Sequence, residues 1–350
     1  MRTLKIAVLP GDGIGPEVVE AAYEIWRHLE SSVTSVTLDW TEHPAGAQEF
    51  VQSGDPLPAK TLQACREADA IFLGAMGLPD VRWPDGREMA PQLDLREQLQ
   101  LYAGVRPARL YHEHHTPLKR YKAGDIDLVL VRESTEGMFA SRLVPRDRAA
   151  EVVCDTLRIS KLGADRVSRA AFRLAQGRRQ SVTLIDKANV LPSMAFFRER
   201  FYDVAKEFPD VKARDVYVDA CALYLLQKPE QFDVLVTENL FGDILSDLTA
   251  GLVGGMGMAP SADIGDDHAL FQPAHGSAPD IAGRGIANPI ATILSLAMML
   301  EWLKMHELCA CAERIRSAVE RVMSHPDNTT PDLGGTRTTE QLTGAVIAAL

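Results

Sequence analysis

The chain has 350 residues, 46% hydrophobic and 24% charged, a composition ordinary for a soluble globular protein and long enough for one large α/β unit or two domains. Its formal net charge of −11 argues against a nucleic-acid partner, which calls for a basic surface, but leaves room for an anionic ligand held by a local arginine cluster. Five cysteines without a C-x-x-C pair fit reduced thiols in a cytoplasmic protein, and neither a membrane-length apolar run nor a signal-peptide pattern is expected.

The first predicted element is a strand over 4–10, ending in Gly11-Asp12-Gly13-Ile14-Gly15-Pro16. A strand that runs into a glycine-rich loop is the usual opening of an α/β domain, and Pro16 suits a first helical turn. Val18, Val19, Ala22, Ile25, Trp26 and Leu29 then repeat with helical spacing. The glycines match neither G-x-G-x-x-G nor a P-loop, so a tight turn is the expected reading. Residues 70–73 predict a second strand, 82–92 a Pro- and Gly-rich loop, and 93–101 a helix carrying Arg96. Residues 127–131 predict a strand that ends at Arg132. With Arg106, three arginines are thus expected near element ends; if they converge they form a clamp for carboxylate or phosphate. His112-Glu113-His114-His115 lacks the H-E-x-x-H spacing and reads as a surface loop.

The stretch 151–176 mixes strand and helix signals and carries no assignment. Strands are expected over 182–185 and 216–220, placing Lys187 and Asp219 beyond strand ends, where open α/β sheets hold their chemistry. Val234 to Val236 is a short buried strand. In the helix that follows, Asp243 and Asp247 are four apart and share one face. Two like charges there repel by roughly 0.2–0.5 kcal/mol. A hard divalent cation, which prefers carboxylate oxygens, reverses that sign. Residues 251–257 read as a flexible glycine junction, and 271–289 as a structured ligand loop. Residues 290–306 and 309–323 read as two apolar-striped helices.

Taken together and in order, these pieces resemble the β-decarboxylating hydroxyacid dehydrogenases. The resemblance rests on Leu9 to Glu17, Arg106-Pro107, Arg132-Glu133 with Thr135-Glu136-Gly137, and Asp186 to Asn189. It continues through Asn239 with Phe241 to Asp247 and the loop from His275 to Pro289, and so covers nearly the whole chain. The family includes 3-isopropylmalate, isocitrate, homoisocitrate, D-malate and tartrate dehydrogenases, and the 3-isopropylmalate branch is the nearest in pattern. The resemblance implies an α/β fold of two domains around a cleft, distinct from the Rossmann fold. It puts residues 1–101 and 254–350 in a cofactor-binding domain, and 102–253 in a substrate and dimerisation domain.

It further implies oxidation and decarboxylation of a 2-hydroxy acid that bears a C3 carboxylate, with NAD and Mg²⁺ or Mn²⁺. Asp219, Asp243 and Asp247 would hold the metal, and Arg96, Arg106 and Arg132 the C3 carboxylate. Lys187 would act on the hydroxyl proton. Lys187 and Asp219 would reach into the neighbouring subunit of a homodimer. His275, Gly276, Ala278, Asp280, Ile281 and Asn288 would bind the cofactor, with Asp280 favouring NAD over NADP. Gln92 and Leu93, with Asn189 and Val190, would face the substrate's variable part. The pattern departs from the family at Phe139, where a tyrosine hydroxyl usually helps protonate the enol carbon; phenylalanine has no proton to give. Efficient decarboxylation and oxidation with impaired decarboxylation therefore both stay open. So do a D-malate- or tartrate-type substrate and a catalytically silent, ligand-binding paralogue.

Overall fold

The computed structural model describes residues 2–144 and 149–350. Among these, ten strands form one mixed sheet. They are β1 (Arg2–Gly11), β2 (Val36–Glu42), β3 (Ala70–Ala75), β4 (Ala103–Arg109), β5 (Asp127–Glu133), β6 (Ser181–Asp186), β7 (Lys212–Tyr217), β8 (Val234–Thr237), β9 (Pro260–Ile264) and β10 (Ala269–Pro273). Their order across the sheet is β2-β1-β3-β10-β9-β4-β5-β8-β6-β7. The two flanks are parallel: β1 pairs with β2 and β3, and β8 with β5 and β6. The middle is antiparallel, with β9 between β10 and β4, and β4 against β5. The chain thus builds one flank from its two ends and the other from its middle.

Burial explains the strand sequences. β3 and β8 are buried at every position, as strands covered on both faces must be, and they read as unbroken apolar runs. The amphipathic helix Gly15–Glu30 buries Val19, Ile25, Trp26 and Leu29 against one flank. Beneath it the helix Ile290–Trp302 is buried from Ile290 through Leu300, because neighbouring elements cover it on every side. That helix ends at Trp302, and the next begins at His306. The other flank is closed by the helices Lys161–Gln176 and Pro192–Ala205, whose Phe172, Phe197 and Phe201 fill its core.

Several expectations need correction. Val218 to Ala220 do not extend a strand; β7 stops at Tyr217 and a helix, Val218–Gln227, starts at once. The glycine junction at 251–257 is the end of a helix followed by the short 3-10 turn Met256–Met258, with Gly254 and Gly255 at positive φ. Phe271 to Pro273 belong to β10, so the irregular loop begins only at Ala274. His115 is not on the surface: it is buried, and among the described residues both ring nitrogens lack a hydrogen-bond partner. β2, β4 and β9 had no counterpart in the sequence reading.

Candidate active site

The loops after β1, β3 and β10 leave one edge of the sheet and those after β5 and β8 leave the other, because β10, β9, β4 and β5 pair antiparallel in turn; each set leaves the carboxyl ends of its strands, where open α/β sheets bind ligands. The glycine-rich loop after β1 is a tight turn, as expected, and it is filled by its own chain. The buried Asp12 carboxylate accepts the amide protons of Ala47 (2.7 Å), Gln48 (2.9 Å) and Gly77 (2.8 Å). Gly13 sits at φ 59°, and a Cβ there would lie 1.9 Å from the Ser277 carbonyl oxygen, so only glycine lets the two loops meet. This clasp fixes where the chain leaves β10.

Between these loops lies a cleft of about 250 Å³. Arg96 from the helix Pro91–Gln98, Arg106 from β4 and Arg132 from β5 all line it, with Asp243 and Asp247 opposite. The structure therefore brings together the three arginines and two of the three aspartates singled out from sequence, although Arg106 lies mid-strand rather than at an element end. Gln92, Leu93, Phe139, His275 and Gly276 complete much of the wall.

The three guanidiniums are almost fully buried, at 5%, 7% and 3% relative exposure, an arrangement that costs several kcal/mol per ion unless partners are supplied. The sequence reading missed the residue that supplies most of the compensation. Asp263, on β9 and fully buried, lies 3.0 Å from Arg96 Nε and 3.8 Å from Arg106. Its carboxylate also accepts a hydrogen bond from Gln272 Nε2 at 2.9 Å. Burial pushes its pKa up, but Arg96, Arg106 and Arg132 outweigh burial and hold Asp263 below the ordinary carboxylate range.

Arg132 donates from Nε to Asn239 Oδ1 (2.8 Å) and pairs with Asp243. Its guanidinium carbon lies 5.1 Å from the Phe139 ring centre, within cation–π range. Among the described residues, Arg106 Nε and Arg132 Nη2 remain buried without hydrogen-bond partners. Burial, with repulsion from Arg96 and Arg132, pushes the Arg106 pKa down to about 10 despite Asp263. Asp247 is shifted the other way: burial and then the Asp243 charge raise its pKa. The cleft thus holds uncompensated donors on one wall and a repelling carboxylate pair on the other.

The cleft is rigidly framed. Glu133 accepts hydrogen bonds from the amides of Thr135 (3.0 Å) and Glu136 (2.6 Å), closing the turn after β5. Glu136 in turn accepts the Ser160 amide (2.7 Å), and Glu238 caps the helix Asn239–Gly251 through the Phe241 amide (2.7 Å). Gly242 on that helix lies directly against Arg132; a Cβ there would come within 2.7 Å of its Cβ and Cγ.

Other predicted residues lie elsewhere. Lys187 and Asp219 pair with each other at 2.5 Å, and neither lines the cleft; Asp219 is 66% exposed and its pKa is lowered by Lys187. Asn189 and Val190 are exposed, also outside it. Among the described residues no three His, Cys, Asp or Glu side chains come together as a metal cluster within one chain. In the loop after β10, Ala278 adopts a positive φ of 37°, Asp280 is exposed, and Ile281 packs beside Ile14 and Val18. Asn288 is buried; its amide donates to Asp332 (3.1 Å) and its carbonyl accepts the Ile290 amide (3.1 Å), so its side chain serves the loop and the helix start. Burial lowers the His275 pKa, which keeps the ring neutral at the cleft wall.

A mixed sheet with this order and a cleft lined by buried arginines facing paired aspartates define an α/β enzyme fold built for a small anionic ligand. The family described as isocitrate/isopropylmalate dehydrogenase matches residues 5–346, and the chain belongs to that family. It is 45% identical over 348 residues to the isocitrate/homoisocitrate dehydrogenase of Thermus thermophilus, covering 99% of this chain and 98% of that one. It is 46% identical over 328 residues to the 3-isopropylmalate dehydrogenase of Thermotoga maritima, covering 91% and 90%. The crystal structure of isocitrate dehydrogenase from Methylococcus capsulatus superposes with a TM-score of 0.88 at 39% identity, over 100% of this chain and 99% of that one. The fold is therefore the isopropylmalate/isocitrate dehydrogenase fold expected from sequence, and relatives from both branches are similar to comparable degree. Among the described residues no helix is long and apolar enough to cross a membrane.

Proposed function

We propose that the chain is a homodimeric, NAD-dependent dehydrogenase that oxidises and decarboxylates a 2-hydroxy acid carrying a C3 carboxylate. The observation that carries this reading is the convergence of three buried guanidiniums, two with unpartnered donors, on a cleft whose other wall is Asp243 and Asp247. Carboxylates alone, four residues apart and repelling, are the donor set of a hard dication, so Mg²⁺ or Mn²⁺ fits there. Asp219 would be the third ligand, given by a second subunit. This is supported by its exposure and by the apolar surface around it: Leu223, Tyr224 and Leu226 are exposed on its own helix, and Ile244 on the helix packed beside it. We likewise read residues 1–101 and 254–350 as the cofactor domain and 102–253 as the substrate and dimer domain, in keeping with the two sheet flanks.

A bound metal, held by Asp243, Asp247 and the second subunit's Asp219, would supply Lewis acidity toward the hydroxy acid, and bound NAD would supply the hydride acceptor. Arg96, Arg106 and Arg132 bind and orient the C3 carboxylate, the group to be lost. Lys187, brought in by the second subunit and held by Asp219, takes the hydroxyl proton. Asp280 offers acceptors to the adenosine ribose hydroxyls and repels a 2′-phosphate, favouring NAD. Phe139 lies against Arg132 and cannot donate a proton, which favours, as a second reading, oxidation with slow decarboxylation.

The test is a panel of D-malate, tartrates, 3-isopropylmalate, isocitrate and homoisocitrate with Mn²⁺ and either NAD or NADP, following NADH and CO₂ separately. At least one acid should reduce NAD with a kcat/KM above that for NADP, and both Asp243→Asn and excess EDTA should abolish it. Full turnover in either, or none with any acid, would remove the reading.

A further inference from the structure

Asp263 has no place in the chemistry above, yet it is buried at the back of the anion site. It is held there by design of the neighbouring strands. Gly104, its register partner on β4, leaves room: a Cβ there would lie 3.1 Å from Asp263 Oδ1 and 2.7 Å from Ser134 Oγ. Gln272 on β10 donates to one carboxylate oxygen, and Ser134 reaches the other at 3.5 Å. These contacts hold the negative charge beside Arg96 and Arg106.

That charge changes the total. Arg96, Arg106 and Arg132 contribute three positive charges; Asp243, Asp247 and Asp263 contribute three negative ones. A bound dication leaves two positive charges, which a dicarboxylate cancels. A third carboxylate would enter the cleft with no unmatched arginine or metal charge left to meet it, a costly arrangement. No further Lys or Arg of the same chain lines the cleft among the described residues, and Lys187 and Asp219 of the proposed second subunit would add one charge of each sign and leave the total unchanged.

Resting on the proposed function, we infer that Asp263 is a specificity-determining residue that restricts the substrate to 2-hydroxy dicarboxylates whose C3 substituent is uncharged, and so disfavours tricarboxylates such as isocitrate and homoisocitrate. Asp263 acts through Arg96 and Arg106, as a positioning and charge-setting group rather than a reacting one.

The experiment compares the native protein with Asp263→Asn. Calorimetry with Mn²⁺ measures binding of succinate and of propane-1,2,3-tricarboxylate, neither of which can react. Initial rates with NAD compare D-malate and 3-isopropylmalate with isocitrate. The native protein should bind succinate at least about tenfold more tightly, and should use the better of the two dicarboxylates at least tenfold better than isocitrate. Asp263→Asn should move both ratios at least tenfold toward the tricarboxylate. Unmoved ratios in a folded variant, or a native preference for isocitrate, would overturn the inference. If the variant fails to fold, the native binding ratio decides: near unity refutes the charge rule, tenfold or more supports it. If no acid reduces NAD while succinate still binds tenfold more tightly, the dehydrogenase reading fails and the charge rule stands.

Discussion

Gly242→Ala perturbs the site through one methyl group. In the helix Asn239–Gly251 that Cβ would lie 2.7 Å from both Cβ and Cγ of Arg132, about 1 Å inside a normal carbon–carbon contact. The Arg132 Cβ cannot yield easily, because β5 is paired on both sides. Either the helix moves off the sheet, or Arg132 changes rotamer and loses its 2.8 Å bond to Asn239 and its pairing with Asp243. Overpacking of this kind costs about 1–3 kcal/mol, whereas replacing glycine by alanine inside a helix returns about 1 kcal/mol. The net expectation is destabilisation of about 0–2 kcal/mol. The site suffers more, since a displaced guanidinium loses charge-assisted hydrogen bonds worth about 1.5–3 kcal/mol, or roughly 10- to 150-fold in kcat/KM. Urea melts and steady-state kinetics on the best acid of the panel separate the two effects. A variant with unchanged kcat/KM and higher stability would show that Arg132 does not depend on this contact.

Phe139→Tyr should raise CO₂ released per NADH formed; general acid catalysis is worth about 10²- to 10⁴-fold on the proton-transfer step, with a smaller gain if another step limits turnover. One CO₂ per NADH in the native protein, with no gain in the variant, would make Phe139 a neutral replacement. His115 gives a stability prediction: burial, and then the nearby His112 and His114, push its pKa down to about 4. Between pH about 6.5 and 4 the unfolded chain binds a proton that the folded one refuses, so stability is full above 6.5 and falls as pH drops, by about 2 kcal/mol at pH 5. His115→Leu should flatten that fall in urea midpoints between pH 7 and 5, and an identical slope in the variant would assign the acid sensitivity elsewhere.

What was legible in the sequence follows from what was repetitive in it. β1, β3, β5 and β8 are apolar runs, and the helices at 15–30 and 306–323 carry clean stripes, so periodicity finds them. β4 hides because Ala-Gly-Val-Arg-Pro-Ala-Arg breaks the strand pattern with a buried arginine and a proline. The proline is tolerated because β9 pairs with β4 only over Ala103 to Val105, short of Pro107. β9 hides for a similar reason, since Pro-Ser-Ala-Asp-Ile carries a charge into the sheet centre. The one available signal was that charge itself, flanked by Ala262 and Ile264; a carboxylate in a strand interior must have a cation nearby. Which cation was not readable, because Arg96 and Arg106 lie more than 150 residues away in the chain. The Asp243–Asp247 pair was readable because helical spacing makes it local. Lys187 and Asp219 were readable as strand-end residues, but no single chain carries them into the cleft.

The arginine wall and the aspartate wall also constrain each other. Without ligands, Asp243 is the partner of Arg132, while Asp247 faces the Asp243 charge and has its pKa raised in part by it. On the proposed chemistry Asp243 turns to the dication, which deprives Arg132 of a carboxylate in a site where a lone guanidinium is costly. The substrate's C3 carboxylate is the group that replaces it. Each ligand therefore creates the place the other fills, and cation and acid bind with positive coupling although they touch different walls. Asp263 does not take part in that exchange, since it is locked by Gln272 and has no route toward the metal. It keeps Arg96 and Arg106 compensated throughout, so that of the three guanidiniums only Arg132 changes partner when the cleft fills.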